Sequence, residues 1–210
     1  MSERMAYSAK LSDIFCFFVH FAHCIFLKKY GKIKGKNERR RVMNSIGDKV
    51  VYGASGVMCI VDIREETISD MTRRYYVLTP LGQDSPSQTF VPTDSEMLVG
   101  LMRPLLSRED VDSVLRLGKE APDIDWCADN RRRSDCFKKI LESGDRVKMI
   151  AMIRTIHRAG LARESLGKRN YLSDDTVMKR AEKLLSSELS AVLGIDEEKA
   201  RELVMSCVSE

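Results

Sequence analysis

Few residue types in this chain have the chemistry of an active site, and their spacing does not form one. The 210 residues include histidines at 20, 23 and 157 and cysteines at 16, 24, 59, 127, 136 and 207. No two cysteines form a CxxC pair, so neither a zinc ribbon nor a disulfide scaffold is indicated, and we interpret them as reduced thiols. The glycine-rich turn at 53–56 lacks the GK[ST] ending of a phosphate loop and is not a GxSxG motif. We therefore expect no enzyme, no metal site and no cofactor.

The single tryptophan lies in a polar segment rather than in an apolar stripe. Turn-forming residues surround Trp126, including Pro122, Asp125 and Asn130. Three consecutive arginines follow it, namely Arg131, Arg132 and Arg133. One interpretation is a core aromatic beside a solvated basic face. The other is an aromatic side chain at the surface, beside exposed cations.

The formal net charge of +4 is concentrated in two segments. Residues 1–42 contain ten basic and three acidic side chains, whereas residues 43–210 contain 25 basic and 28 acidic ones. Within the second part, residues 131–169 stand out with twelve basic and four acidic side chains. Any contact with nucleic acid is therefore expected to be local.

Residues 1–42 do not share the pattern of the rest of the chain. The apolar run at 14–27 is shorter than the about 20 residues that span a bilayer. Lys-Lys-Tyr follows it where a signal peptide would have a small-residue cleavage site. The charged stretch at 32–41 has no apolar periodicity, which is typical of solvated, disordered chain. We expect an extension outside the functional fold; a membrane anchor and a docking helix are the alternatives.

Residues 43–106 predict a small antiparallel β-barrel of SH3 or Tudor type. Five short segments rich in Val, Ile, Tyr and Phe are separated by turn residues, with no helix between them. The predicted strands are Lys49–Tyr52, Val57–Arg64, Arg73–Thr79, Gln88–Pro92 and Leu101–Pro104.

Residues 107–210 predict a compact all-helical domain, so the fold class is α+β with two domains. Ser107 begins a capping-box pattern, and Asp145 and Ser173 are predicted caps of later helices. Four apolar residues at helical spacing predict a buried face, namely Met149, Met152, Ile153 and Ile156.

These segments resemble a known family. The stretches SIGDKVVYGASGVMCIVDI, RRYYVLTPLG and TFVPTDSEMLVGLMRPLLSREDVDSVL resemble the polymerase-interacting module of the CarD/CdnL family of bacterial transcription regulators. A related module occurs in the transcription-repair coupling factor. The helical half resembles CarD/CdnL alone, through its lone Trp, the basic run, ESGD and LSDDTVMKRAEKLLSSELSAVLGID. The resemblance covers about residues 46–208 in the order of the family.

The resemblance implies a two-part mechanism. The barrel would bind the β subunit of bacterial RNA polymerase, partly by strand pairing. The helical domain would contact promoter DNA at the upstream edge of the melted region and stabilise the open complex, with Trp126 as a wedge in the minor groove. The candidate phosphate contacts are Arg131, Arg132 and Arg133, followed by Lys168 and Arg169.

The barrel departs from the family at two positions. Arginines that face polymerase in some members are replaced here by Glu66 and Phe90. Contact would then rest on strand pairing and on apolar contact at Phe90, and the candidate substitute cations are Arg64, Arg73 and Arg74.

The resemblance also sets expectations for the whole protein. We expect a cytoplasmic, nucleoid-associated monomer whose partners are RNA polymerase and promoter DNA, with no small-molecule substrate and no membrane. The alternative is a general nucleic-acid- or ribosome-associated module that acts without polymerase. A pull-down against purified core polymerase separates the two.

Overall fold

The computed structural model describes residues 44–68, 70–82 and 87–209. The predicted extension at 1–42 lies outside this range. The described strands are β1 (Lys49–Tyr52), β2 (Val57–Ile68), β3 (Met71–Pro80), β4 (Thr89–Pro92) and β5 (Met102–Pro104). The described helices are α1 (Glu96–Val99), α2 (Arg108–Glu120), α3 (Asn130–Ser143), α4 (Arg146–Glu164), α5 (Leu172–Leu193) and α6 (Glu197–Ser206). An α+β fold is confirmed. Across the described ranges, no helix combines the length and apolar character needed to cross a membrane.

The five strands form one antiparallel sheet in the order β4-β3-β2-β1-β5. The outer strands, β4 and β5, do not pair with each other in the described part of the chain, so the sheet is open and the predicted barrel is not confirmed. Each predicted strand is present. However, β2 and β3 continue into a longer hairpin, in which Thr67 lies opposite Thr72 and Ile68 lies opposite Met71.

Backbone geometry and short polar caps define most helix boundaries. The carboxylate of Asp129 accepts a hydrogen bond from the backbone N–H of Arg132 at 2.8 Å, and Asp145 does the same for Lys148 at 3.1 Å. The predicted cap of α5 is wrong. That helix begins at Leu172 with no side-chain cap bond at its N-cap residue, and the Ser173 hydroxyl instead lies 3.2 Å from Asn130 Oδ1 on α3.

Helix α4 is the centre of the helical part. The predicted apolar residues are buried, but so are all eight consecutive residues from 149 to 156. Helices α2, α3 and α5 all pack against α4, which explains why burial is not confined to one face. As a result α4 carries two buried polar side chains, Arg154 and Thr155, which need partners inside the protein.

The sheet and the helices have separate apolar clusters. The sheet cluster contains Val50, Met58, Ile60, Leu78, Val91 and Met102. The helical cluster is built mainly from α2, α3, α4, α5 and α6. Residues 44–210 nevertheless group as one compact unit, and the division at residue 106 stays a prediction.

A polar junction connects the end of the sheet to the helices. Arg103 on β5 donates from Nη1 to the carbonyl oxygen of Gly144 at 2.7 Å. The buried carboxylate of Glu188 accepts from Arg146 Nη2 at 2.5 Å and from the backbone N–H of Leu106 at 3.0 Å. The segment that leaves β5 is therefore held against α4 and α5.

Candidate nucleic-acid interface

Trp126 lies in the loop between α2 and α3, and α4 anchors the first half of this loop. Arg154 donates from Nε to Asp123 Oδ1 at 2.7 Å. The hydroxyl oxygen of Thr155 accepts from the backbone N–H of Ile124 at 2.9 Å. Arg154 also donates to carbonyl oxygens at the end of α2, those of Gly118, Lys119 and Ala121. The two buried polar residues of α4 thus fix the chain just before Trp126.

The charge of Asp123 supports this anchor at neutral pH. Burial raises the pKa of Asp123, and hydrogen bonds from Arg154 and Arg158 more than offset this effect, so the pKa lies below its ordinary value. A lowered carboxylate pKa stabilises the fold above the unfolded-state pKa, which is about 4. That contribution is lost only as the pH falls through the lowered folded-state pKa.

Arg133 anchors the second half of this loop from inside the protein. Its side chain is 1% exposed. The guanidinium donates from Nε to Asp174 Oδ2 at 3.0 Å, from Nη1 to the carbonyl oxygen of Cys127 at 2.7 Å, and from Nη2 to Asn130 Oδ1 at 2.9 Å. This geometry contradicts the predicted phosphate contact of Arg133, because the guanidinium is shielded from solvent and hydrogen-bonded within the protein.

The indole of Trp126 is partly packed and partly presented to solvent. Its ring centre lies 4.3 Å from the guanidinium carbon of Arg133 and 6.5 Å from the ring centre of Phe137. The residue is 40% exposed, whereas Phe137 is fully buried. Trp126 is therefore not a core tryptophan. Contacts with Arg133 and Phe137 hold the indole at the surface.

The exposed cations predicted to contact phosphate lie in segments that adjoin Trp126 or the residues around it, such as Asn170 and Tyr171. Two are in the first turn of α3, and two are in the loop between α4 and α5. The contact between Ser173 and Asn130 joins the starts of α5 and α3, and so connects these segments. We call this set the tryptophan surface; it consists of Trp126, Arg131, Arg132, Lys168 and Arg169.

Two residues of this region were not predicted. Tyr171 lies with its ring centre 4.8 Å from the guanidinium carbon of Arg133 and 4.0 Å from that of Arg163. Arg163 also donates from Nε and Nη2 to the carbonyl oxygen of Arg169, at 2.9 and 2.8 Å. Their only signal in the sequence is an aromatic residue within a basic stretch, because the contact that joins them to Trp126 runs through Arg133, far away along the chain.

On the sheet, Arg64 and Phe90 lie close together. The guanidinium carbon of Arg64 is 5.8 Å from the ring centre of Phe90. Arg64 also donates to Glu66 Oε1 at 2.7 Å and to Asp62 Oδ2 at 3.1 Å. These hydrogen bonds raise the pKa of Arg64, and the two carboxylates balance its charge within the sheet.

The other two predicted arginines of the sheet lie on opposite faces. Arg73 on β3 lies opposite Glu66 on β2. Arg64 is two residues from Glu66 on the same strand, so Arg64 and Arg73 lie on the same face of the sheet. Arg74 pairs with Glu65 and therefore belongs to the other face. The three arginines consequently do not form one basic cluster.

The sheet offers open edges for strand pairing. Strand β4 is an outer strand. Within the described residues, β2 pairs with β1 over Val57–Cys59, Ile60 bonds to the backbone of Gly47 and Asp48, and the strand pairs beyond that point with β3. Unpaired backbone groups along such edges can accept a strand from another chain.

No donor set for a metal is present in the part of the chain that the structure describes, where no three His, Cys, Asp or Glu residues are grouped. A groove of about 530 Å³ lies between the turn at 53–56 and α5, where Lys179, Arg180 and Lys183 line it together with Glu197.

The described residues thus form an open antiparallel sheet followed by helices that present an aromatic residue beside exposed cations. Residues 45–106 match the family model of the CarD-like/TRCF RID domain. The chain therefore carries this domain, a transcription-related module that interacts with RNA polymerase, and the resemblance to the CarD-like family is confirmed over this range. The match includes all five strands and α1 and ends just before α2. No curated protein matches the chain.

Proposed function

We propose that this protein is a bacterial transcription regulator that joins RNA polymerase to promoter DNA. In this proposal the sheet binds the polymerase β subunit, and the tryptophan surface contacts DNA at the upstream edge of the melted region and stabilises the open complex. The observation that carries the proposal is the half-exposed Trp126, anchored on both sides and accompanied by exposed cations, in a chain with a CarD-like/TRCF RID domain. No enzymatic activity is part of the proposed role.

On the polymerase side, backbone pairing is favoured over charge. Arg64 is already paired with two carboxylates, and Arg73 and Arg74 lie on different faces. Strand addition needs only an exposed edge with free N–H and C=O groups, which the outer strands of the sheet supply. Phe90, on the outer strand β4, would add apolar contact beside this edge.

On the DNA side, the anchored loop is suited to an aromatic wedge. Inserting an apolar side chain at a base step costs a few kcal/mol of unstacking, which contacts with the distorted DNA offset. Because α4 and Arg133 already hold the loop, little conformational freedom would be lost when Trp126 meets DNA. The exposed cations would bind neighbouring phosphates and set the register.

The lifetime of the open complex tests this proposal. We expect Trp126→Ala to shorten that lifetime by roughly tenfold to a hundredfold, from the 1–3 kcal/mol that an aromatic–base contact contributes. Polymerase binding should not change, because the sheet has its own apolar cluster. The melting temperature should fall by no more than about 5 °C, because the indole is only partly packed.

A matched control removes exposed apolar area elsewhere. Leu203→Ala on α6 takes away a side chain that is 37% exposed, close to the exposure of Trp126, and should leave the lifetime unchanged. A large loss of melting temperature in Trp126→Ala would make the tryptophan a core residue. An intact fold with an unchanged lifetime would show that DNA does not use it.

A further inference from the structure

We infer that Arg133 is a positioning residue that sets the orientation of the Trp126 indole for DNA. This inference rests on the proposed function and adds a residue that touches neither DNA nor polymerase. It rests on a series of contacts in which guanidinium groups and aromatic rings alternate. Arg163 lies against Tyr171, Tyr171 against Arg133, and Arg133 against Trp126. Trp126 is the member of this series that would meet DNA; Tyr171 is exposed to a similar extent, at 39% against 40%.

The hydrogen bonds of Arg133 fix its own position from three segments. Asp174 belongs to the first turn of α5, Asn130 to the first turn of α3, and the carbonyl of Cys127 to the residue directly after Trp126. The ion pair with Asp174 is nearly inaccessible to solvent at both ends. A guanidinium held in this way leaves the indole that packs on it little freedom to rotate.

The geometry requires arginine rather than any cation. A guanidinium is planar, donates in its plane and stacks through its faces, so it can bind three oxygens while it contacts two rings. An ammonium group on the same stem would keep the charge near Asp174 but would lose the stacked surface. Arg133→Lys therefore keeps the charge but removes the stacked surface together with the fork of hydrogen bonds to Cys127 and Asn130.

The fluorescence of the chain measures the effect directly, because Trp126 is its only tryptophan. In Arg133→Lys we expect emission at longer wavelength and stronger quenching by acrylamide, since the indole loses its cover. The open-complex lifetime should shorten by roughly threefold to tenfold, in line with the loss of one cation–π contact. In a Trp126→Ala background, Arg133→Lys should shorten the lifetime no further.

A second variant tests the same inference if the Arg133→Lys protein does not fold. Arg133→Met combined with Asp174→Leu removes both charges, which buried ion pairs often tolerate, and should give the same emission change. The control is Arg146→Met with Glu188→Leu, a second shielded pair that makes no ring contact with Trp126. This control should leave the emission unchanged.

The outcomes distinguish the inference from the proposed function. Unchanged emission in a folded Arg133→Lys protein overturns the positioning role, and so does a further loss of lifetime when the variant is combined with Trp126→Ala. If Trp126→Ala alone leaves the lifetime unchanged, the proposed function fails. The emission of Arg133→Lys then still decides whether Arg133 orients the indole.

Discussion

At the scale of single residues, the three consecutive arginines of α3 have different environments. Arg131 and Arg132 are exposed, whereas Arg133 is inside the protein and paired with Asp174. Successive helical positions point about 100° apart, so one member of the run faces inward while its neighbours face solvent. Only the exposed members are free to bind a phosphate.

This difference gives Arg131 and Arg132 a salt-dependent role. Replacing either with Ala should weaken DNA engagement by the polymerase complex, and each lost contact should lower the slope of log K against log salt by about 0.9. The control is Arg116→Ala, on α2, whose side chain is exposed and 3.6 Å from Glu120. Titrations at several KCl concentrations measure the slope. A loss that is equal at every salt concentration would contradict phosphate contact.

The sequence predicted phosphate contacts for all three arginines and did not reveal that one of them is buried. Burial of Arg133 depends on Asp174, which is 41 positions away, and on two aromatic rings from different segments. No local pattern carries that information. For Trp126 the surrounding turn residues favoured an exposed setting, but the sequence alone left a core tryptophan as an open alternative.

At the scale of helices and strands, glycines end two of the helices in the same way. Gly144 after α3 and Gly194 after α5 both adopt left-handed backbone, with φ of 63° and 69°. They differ in their surroundings. A Cβ on Gly144 would meet the guanidinium of Arg103 at about 2 Å, whereas a Cβ on Gly194 would meet nothing within 4 Å.

The two glycines make a matched pair of variants. Gly194→Ala should destabilise by the backbone strain alone, about 1–2 kcal/mol. Gly144→Ala should destabilise by more, because the methyl group also displaces Arg103 from its hydrogen bond to the Gly144 carbonyl. Urea unfolding midpoints of both variants and the wild type measure the difference. Equal losses would mean that the Arg103 contact adds nothing to stability.

Strand and helix positions were largely predictable, because periodicity and turn residues report local structure. The hairpin end was missed because most of its residues are polar, and cross-strand pairs such as Glu65 with Arg74 extend it. The open sheet in place of a barrel was also missed. Closure depends on how the outer strands meet, and the pattern within each strand does not encode this.

At the scale of the whole molecule, the two proposed binding surfaces belong to one compact unit. Burial and the neighbouring Arg146 lower the pKa of Arg103 at the junction. Glu188 binds both Arg146 and the backbone of Leu106, so the chain between β5 and α2 is fastened to the helices. Once the sheet is bound to polymerase, the tryptophan surface would therefore be held at a high effective concentration near the DNA.

This arrangement predicts that the protein alone binds duplex DNA weakly. Residues 43–210 contain 25 basic and 28 acidic side chains, and the tryptophan surface supplies only four exposed cations, so few counterions would be released. With polymerase present on a promoter, occupancy should rise strongly, and purified core polymerase should retain the protein in a pull-down. Fluorescence anisotropy with a labelled duplex at physiological salt, with and without polymerase, measures the gain. Tight binding to duplex DNA without polymerase, together with no retention by core polymerase, would favour a general nucleic-acid-binding module instead.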